Sequence, residues 1–149
     1  MTTVRHYKTQ DEKEFRNIAA ENYVEQEKGN EADISAPSAL QAYLEHVIEI
    51  QTSGKGLILV AEQENRLVGF VCLQFENDYV FMSDLYVIPE SRNQGIGSML
   101  TEQLEEQASV KGATHIALKV EAGKTNAKSF YKNKHYQEKF VVMSKTLNG

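Results

Sequence analysis

A chain of 149 residues with 41% hydrophobic and 25% charged residues is ordinary for a soluble globular protein and fits one domain, residues 1–149, with a proper core. Its net charge of −5 argues against nucleic acid as the main partner and is compatible with cationic ligands. No apolar run approaches the roughly 18 residues of a membrane span, the start Met1-Thr2-Thr3-Val4-Arg5-His6-Tyr7 lacks the apolar stretch of a secretory signal, and the single Cys72 excludes an internal disulfide, so a cytoplasmic home with no membrane partner is expected.

Val4 to Lys8 reads as a short first strand. Asp11 to Gln26 reads as a helix, with Phe15, Ile18, Ala19, Asn22 and Tyr23 near one face. Glu27 to Pro37 is polar, contains Gly29, Asn30 and Pro37, and reads as a loop. Ser38 is the expected N-cap of a second helix, in which Leu40, Tyr43, Leu44, Val47 and Ile48 form an apolar stripe. Thr52-Ser53-Gly54-Lys55-Gly56 breaks that helix. Three strands follow, Leu57 to Glu62, Leu67 to Phe75 and Tyr79 to Val87. The turns around Glu64-Asn65 and Glu76-Asn77-Asp78 are short, which predicts antiparallel pairing. The middle strand is apolar at nearly every position, so both of its faces must be covered.

The next helix, Ser98 to Lys111, carries Met99, Leu100, Leu104 and Ala108 and stops at Gly112 as its C-cap. Thr114 to Val120 is then a strand, and its helical connection predicts parallel pairing with Tyr79 to Val87. Thr125 or Asn126 caps a short helix to about Lys132, and Tyr136 to Leu147, with apolar Phe140, Val141, Val142 and Met143, closes the chain as one or more strands. The expected fold class is α/β (α+β): a mixed, mostly antiparallel central sheet of about six or seven strands with helices on both faces, its ligand held where the fourth and fifth strands splay apart at Val87 and Val120.

The stretch Val87-Ile88-Pro89-Glu90-Ser91-Arg92-Asn93-Gln94-Gly95-Ile96-Gly97-Ser98 leaves the strand at that point and opens a helix. Strand, two-glycine turn and helix start form a device for holding a phosphate, because the first N–H groups of a helix have no internal partner and carry the positive end of its dipole. Gly95 and Gly97 let the backbone turn and approach a ligand, and Arg92 adds a charge beside the loop. A dinucleotide fingerprint would need a third glycine where Leu100 stands, although Glu121 does end the following strand. A P-loop ending in Gly123-Lys124-Thr125 would need its leading glycine where Leu118 stands.

The pattern V-x-P-x-x-R-x-x-G-x-G, met by Val87, Pro89, Arg92, Gly95 and Gly97, resembles the signature of the GNAT superfamily of acyl-CoA N-acyltransferases. Asn126-Ala127-Lys128-Ser129-Phe130-Tyr131-Lys132 resembles that family's N-x-x-A-x-x-x-Y helix, with Ala127 and Tyr131 one turn apart. Two departures stand out: His135-Tyr136 replaces the usual Gly-Phe, and Lys124 occupies the usual asparagine position, with Asn126 nearby as the substitute cofactor contact. The closing Val142 to Leu147 also resembles family C-terminal strands, and the likeness covers the whole chain.

The resemblance implies acetyl-CoA as co-substrate. Backbone N–H groups of Arg92, Asn93, Gln94, Gly95, Ile96, Gly97 and Ser98 would bind its pyrophosphate. Free backbone groups of Leu85, Tyr86 and Val87, on a bulged strand, would pair with the pantetheine arm and polarise the thioester carbonyl. Tyr131 matches the tyrosine that protonates the departing thiolate; a phenol with pKa about 10 stays protonated at neutral pH. Packing beside Phe130 is the alternative role for Tyr131. Asp84, a carboxylate between Met82 and Leu85, is the candidate for holding an ammonium or taking its proton, directly or through water; bonding a neighbouring backbone turn is the alternative.

Glu76 and Asp78 read as turn residues, with reaching the acceptor as the alternative. Cys72 reads as a buried small hydrophobe and not a nucleophile, and His6, His46, His115 and His135 show no metal-ligand spacing, so no metal is expected. Glu21, Glu25, Glu27, Glu31 and Asp33 read as a solvated face or as a cation-attracting rim of the acceptor pocket. The expected activity is transfer of acetyl to a primary amine of a small cationic molecule, by direct attack in a ternary complex without an acyl-enzyme. The alternatives are a protein or peptide acceptor, or a non-catalytic acyl-CoA sensor. Monomer and homodimer are both compatible with the sequence.

Overall fold

A computed structural model of the chain describes residues 1–27 and 37–147. Two compact units divide it, the first Met1–Leu118 and the second beginning at Lys119.

The first unit holds a five-stranded sheet in sequence order: β1 (Thr2–His6), β2 (Gly56–Gln63), β3 (Arg66–Phe75), β4 (Tyr79–Val87) and β5 (His115–Leu118). The first three pairings are antiparallel and β4–β5 is parallel. Helices α1 (Glu12–Glu27) and α2 (Pro37–Thr52) precede β2, and α3 (Ile96–Val110) connects β4 to β5. The short turns predicted between β2, β3 and β4 are present; Glu64 and Asn65 make the first of them with positive φ angles of 49° and 64°.

Both faces of β3 are covered, as its unbroken apolar run requires. Leu67, Val68, Phe70, Val71, Cys72 and Leu73 are all buried. Phe70 meets Phe15 of α1 edge-on at 5.0 Å, whereas the neighbouring Gly69 faces Leu100 of α3. Adjacent residues of a strand point to opposite faces, so α1 lies on one side of the sheet and α3 on the other. The core of α3 is Ile96, Leu100, Leu104 and Ala108, all buried. Its end is a paired-hydrogen-bond cap, with Ala113 N donating to Ala108 O and Gly112 N to Ser109 O; the helix stops at Val110, one residue earlier than expected, with Lys111 as the C-cap and Gly112, at φ 80°, just beyond it.

Gly56, at the start of β2, has no room for a side chain. A Cβ there would collide with the carbonyl oxygen of Leu73 and lie 2.7 Å from Cγ2 of Ile50 and 3.0 Å from Cα of Gln74. Gly56→Ala should therefore destabilise the sheet by about 1–3 kcal/mol, the usual cost of overpacking, read as a lower melting temperature. An unchanged melting temperature would mean that the β2–β3 pairing relaxes freely.

The second unit holds one helix, α4 (Thr125–Asn133). No strand follows it among the described residues, and the expected six or seven strands are corrected to five. Phe140, Val141, Val142 and Met143 are 81–94% exposed. Their β-propensity marks residues that fit a half-buried pleated surface, and a strand exists only where a neighbour supplies the ladder. β5 is likewise shorter than Thr114 to Val120. The predicted caps also shift: Lys124, not Thr125 or Asn126, is the N-cap of α4, and Ser38 lies inside the first turn of α2 behind Pro37, whose fixed φ suits a helix start. Most of the expected loop from Glu27 to Pro37 lies outside the described residues.

Candidate active site

The site begins with a defect in the sheet. β4 pairs with β5 only over Tyr79–Met82 against His115–Leu118. From Ser83 to Val87, β4 has no strand partner on that side among the described residues. The register of β3 against β4 also shifts here: Leu73 opposes Met82 and Cys72 opposes Asp84, leaving Ser83 as an extra, bulged residue. Leu85, Tyr86 and Val87 therefore lie on the freed stretch, which begins four residues earlier than the splay at Val87 that was expected. The bulge also sets which way the later side chains point. Tyr86 opposes Phe70 and faces α1, and so Asp84, two residues before it, shares that face.

After β4 the chain makes a single 3₁₀ turn, Pro89–Ser91, and reaches the glycine loop. Asn93 and Gly95 adopt left-handed conformations at φ 64° and 81°. A Cβ on Gly95 would meet nothing within 4 Å, so glycine is used there for its φ, and the space beside it is open. Gly95 is the N-cap of α3 and, having no side chain, makes no side-chain cap to that helix start. The N–H groups of Ile96, Gly97 and Ser98 therefore have no intrahelical acceptor, at the positive end of a 15-residue helix.

Arg92 acts as a strut. Its Nε donates to Val87 O at 2.8 Å, its Nη2 donates to Glu25 Oε2 of α1 at 2.8 Å, and its guanidinium lies 5.4 Å from the Tyr86 ring centroid. The charge expected to stand beside the loop is thus shared with Glu25, which raises the Arg92 pKa. Gln94 Oε1 accepts from Gln63 Nε2 at 3.1 Å, tying the loop to β2. Tyr86 OH donates to Glu21 Oε2 at 3.4 Å, and burial with the charges of Glu25 and Glu21 pushes that phenol up to about 12. Glu21, Glu25, Tyr86, Val24 and Pro89 line an open groove of ≈ 460 Å³. Of the acidic rim, Glu21 and Glu25 are on this groove; the side chains of Glu27, Glu31 and Asp33 lie outside the described residues.

Asp84 sits in a polar cluster that the sequence did not announce. Asn22 of α1, 1% exposed, donates to Asp84 Oδ1 at 3.1 Å, and Tyr43 OH of α2 donates to the same oxygen at 3.1 Å. Asn22 Nδ2 also donates to Tyr43 Oη at 3.0 Å. Beside the carboxylate is a cavity of ≈ 80 Å³ lined by Tyr43, His46, Cys72, Ser83 and Asp84 among others, ample for water. Burial lifts the Asp84 carboxyl above the ordinary aspartate range, against hydrogen bonds from Tyr43, Ser83 and Asn22 and the charge of His46. The Tyr43 phenol and the Cys72 thiol are both pushed up, by burial and then by the Asp84 charge, so both stay protonated at neutral pH. Cys72 is 5% exposed and packs as a small apolar residue.

A raised folded-state pKa fixes a sign. The stability linked to Asp84 is fully present below the ordinary aspartate range and is lost as pH rises through the folded pKa. Asp84→Asn keeps an acceptor oxygen without the charge. It should melt no lower than the wild type at neutral pH, and the difference should close towards about pH 4. A variant that melts well below wild type at neutral pH would mean that the charge stabilises the fold.

In the second unit, Tyr131 lies on α4, one turn from Ala127, with its ring edge-on to Phe130 at 5.1 Å and to Tyr136 at 5.6 Å. Burial pushes its phenol up to about 12. Asn126 is exposed in the first turn of the same helix. Among the described residues no group of three or more His, Cys, Asp and Glu is arranged to hold a metal, and no helix is long and apolar enough to cross a membrane.

An open mixed sheet, splayed between two parallel strands and followed by a glycine loop and an uncapped helix start, is an α/β arrangement suited to a phosphorylated ligand at the carboxyl ends of its strands. The model of the Acetyltransferase (GNAT) family matches residues 13–136, and the chain belongs to that family. It is 29% identical over 105 residues to the uncharacterized N-acetyltransferase YhfO of Bacillus subtilis (strain 168), covering 66% of this chain and 68% of that protein. Its fold matches the PaiA N-acetyltransferase of Thermoplasma acidophilum in complex with coenzyme A, with TM-score 0.76 and 21% identity over 90% of this chain and 88% of that one. It also matches AAC(6')-Iy in complex with the bisubstrate analogue CoA-S-monomethyl-acetylneamine, with TM-score 0.74 and 15% identity over 99% of both chains. The protein is therefore a GNAT acetyltransferase, and its uncapped α3 start and freed β4 edge fit acetyl-CoA as co-substrate.

Proposed function

We propose that this acetyltransferase moves acetyl from acetyl-CoA to the primary amine of a small cationic molecule, by direct attack in a ternary complex. The observation that carries the reading is the position of Asp84: a desolvated carboxylate on the stretch of β4 that has lost its β5 partner, beside a cavity that admits water. In this reading the backbone of Arg92 to Ser98 holds the pyrophosphate, the freed groups of Leu85 to Val87 hold the pantetheine arm, and Asn126 adds a contact. Asp84 takes the proton of the attacking amine, directly or through water, and Tyr131 gives one to the departing thiolate. The family model extends from the first unit into the second, which supports one catalytic domain over residues 1–149. A cytoplasmic home, with no nucleic acid or membrane partner, remains part of this reading.

The net charge of −5 and the placement of Glu21 and Glu25 on an open groove favour a cation. The aminoglycoside-derived analogue held by a protein of the same fold is in keeping with that class. A negative surface also favours the ammonium form, against which a base must work. The rate at limiting acceptor should rise with pH and fall with added salt, and Asp84→Asn should weaken acceptor use more than acetyl-CoA binding. The test is turnover across a panel of amines. Strong turnover of an acidic amine such as glutamate, undiminished in Asp84→Asn, would overturn both the cationic acceptor and the role of Asp84.

A further inference from the structure

We propose that Asn22 and Tyr43 are positioning residues for the acetyl-transfer step: two donors, one from each of the helices packed on this face, that hold Oδ1 of Asp84 and keep its carboxylate charged and aimed. The proposal deepens the reading of Asp84 as the proton acceptor and rests on it.

The geometry is a three-way lock. Asn22 Nδ2 and Tyr43 OH reach the same oxygen at 3.1 Å each, and are themselves 3.0 Å apart. Gln26 Nε2 donates to Asn22 Oδ1 at 3.3 Å, which turns the amide so that its donors face the carboxylate. Three elements, α1, α2 and β4, thus converge on one atom. A bulged strand edge is a poor place to hold a side chain still, because its own ladder is broken there. Donors anchored on two packed helices replace what the ladder lacks, and a group that must meet an amine within a fraction of an ångström needs such support.

Packing alone does not call for this arrangement. The Tyr23 and Tyr43 rings already meet, tilted by 37° with centroids 5.3 Å apart, so the two helices meet through rings. A carboxylate buried merely to fill space would be better replaced by an apolar residue. Donors on a desolvated carboxylate do something else: they oppose its protonation, and Asn22 and Tyr43 act so here beside Ser83. The other groups facing Asp84 are His46 of α2, Cys72 of β3 and its neighbour Ser83, and the Cys72 thiol carries no charge at neutral pH. His46, whose charge acts on Asp84, is therefore controlled for separately.

The experiment measures kcat/KM against pH with a weakly basic amine that is already neutral across the range, so that only the enzyme titrates. Tyr43→Phe removes one donor and keeps the ring; Asn22→Ala removes the other. Each should move the acidic limb of the profile upward by about one pH unit, a fall of about tenfold on that limb that recovers at high pH, while the acetyl-CoA-induced rise in melting temperature persists. His46→Gln should leave the difference between Tyr43→Phe and its parent intact. A loss that is uniform across pH, or no loss, in both variants would make Asn22 and Tyr43 structural residues and overturn the proposal. Asp84→Asn with the wild-type profile would instead overturn the role of Asp84 itself.

Discussion

Tyr131→Phe should lower turnover at least tenfold, about 1.4 kcal/mol in the barrier, while acetyl-CoA still binds. The phenol is pushed up to about 12 by burial, so at neutral pH it is a proton donor and never a base. The departing thiolate is the group in this chemistry that needs such a donor. Phenylalanine preserves the edge-on contacts of the ring with Phe130 and Tyr136 and removes only the hydroxyl. Single-turnover kinetics are the decisive measurement, because they isolate the chemical step from product release. Unchanged turnover in that regime would return Tyr131 to packing.

Gly97→Val should abolish the stabilisation of the protein by acetyl-CoA. A ligand that binds only the native state at a hundred times its Kd adds about 2.7 kcal/mol, roughly 5–10 °C in melting temperature for a chain of this size. That stabilisation would come through N–H groups at a helix start whose N-cap, Gly95, has no side chain. In the proposed binding mode a Cβ and two methyls at Gly97 would obstruct a phosphate approaching those groups. The melting temperature without ligand is the internal control, since valine is a better helix former than glycine. A shift that survives the substitution, or a larger shift with nicotinamide dinucleotides or adenosine triphosphate, would mean that the loop does not hold acetyl-CoA.

Much of the architecture was legible because it is written in local patterns. The unbroken apolar run from Leu67 to Leu73 demanded cover on both faces, and Phe15 and Leu100 supply it from opposite sides. Short polar turns implied the antiparallel meander, and Val87 to Ser98 announced a strand, a glycine loop and a helix start in sequence alone. Those features depend on the residues themselves: on period, on turn chemistry, and on the φ angles that only certain residues adopt.

Other features were set by partners distant in sequence. The apolar run Phe140-Val141-Val142-Met143 has the composition of a strand, yet a ladder is made by a neighbour and not by propensity. The family resemblance implied a bulged strand, but the place of the bulge, at Ser83, is a mismatch between two strands that neither shows by itself. Asn22 sits 62 positions from Asp84, and Tyr43 sits 41 positions from it. In the sequence each read as one more residue on an apolar helix face. Glu25 read as part of an acidic rim, and its pairing with Arg92 spans 67 positions. The sequence by itself determined the order of the elements, the two-sided core and the turn of strand, glycine loop and helix start. Only the tertiary structure decided where the sheet opens and which side chains meet at Asp84, because hydrogen bonds to a buried carboxylate are satisfied by whatever the fold brings within about 3 Å, and no local pattern encodes that distance.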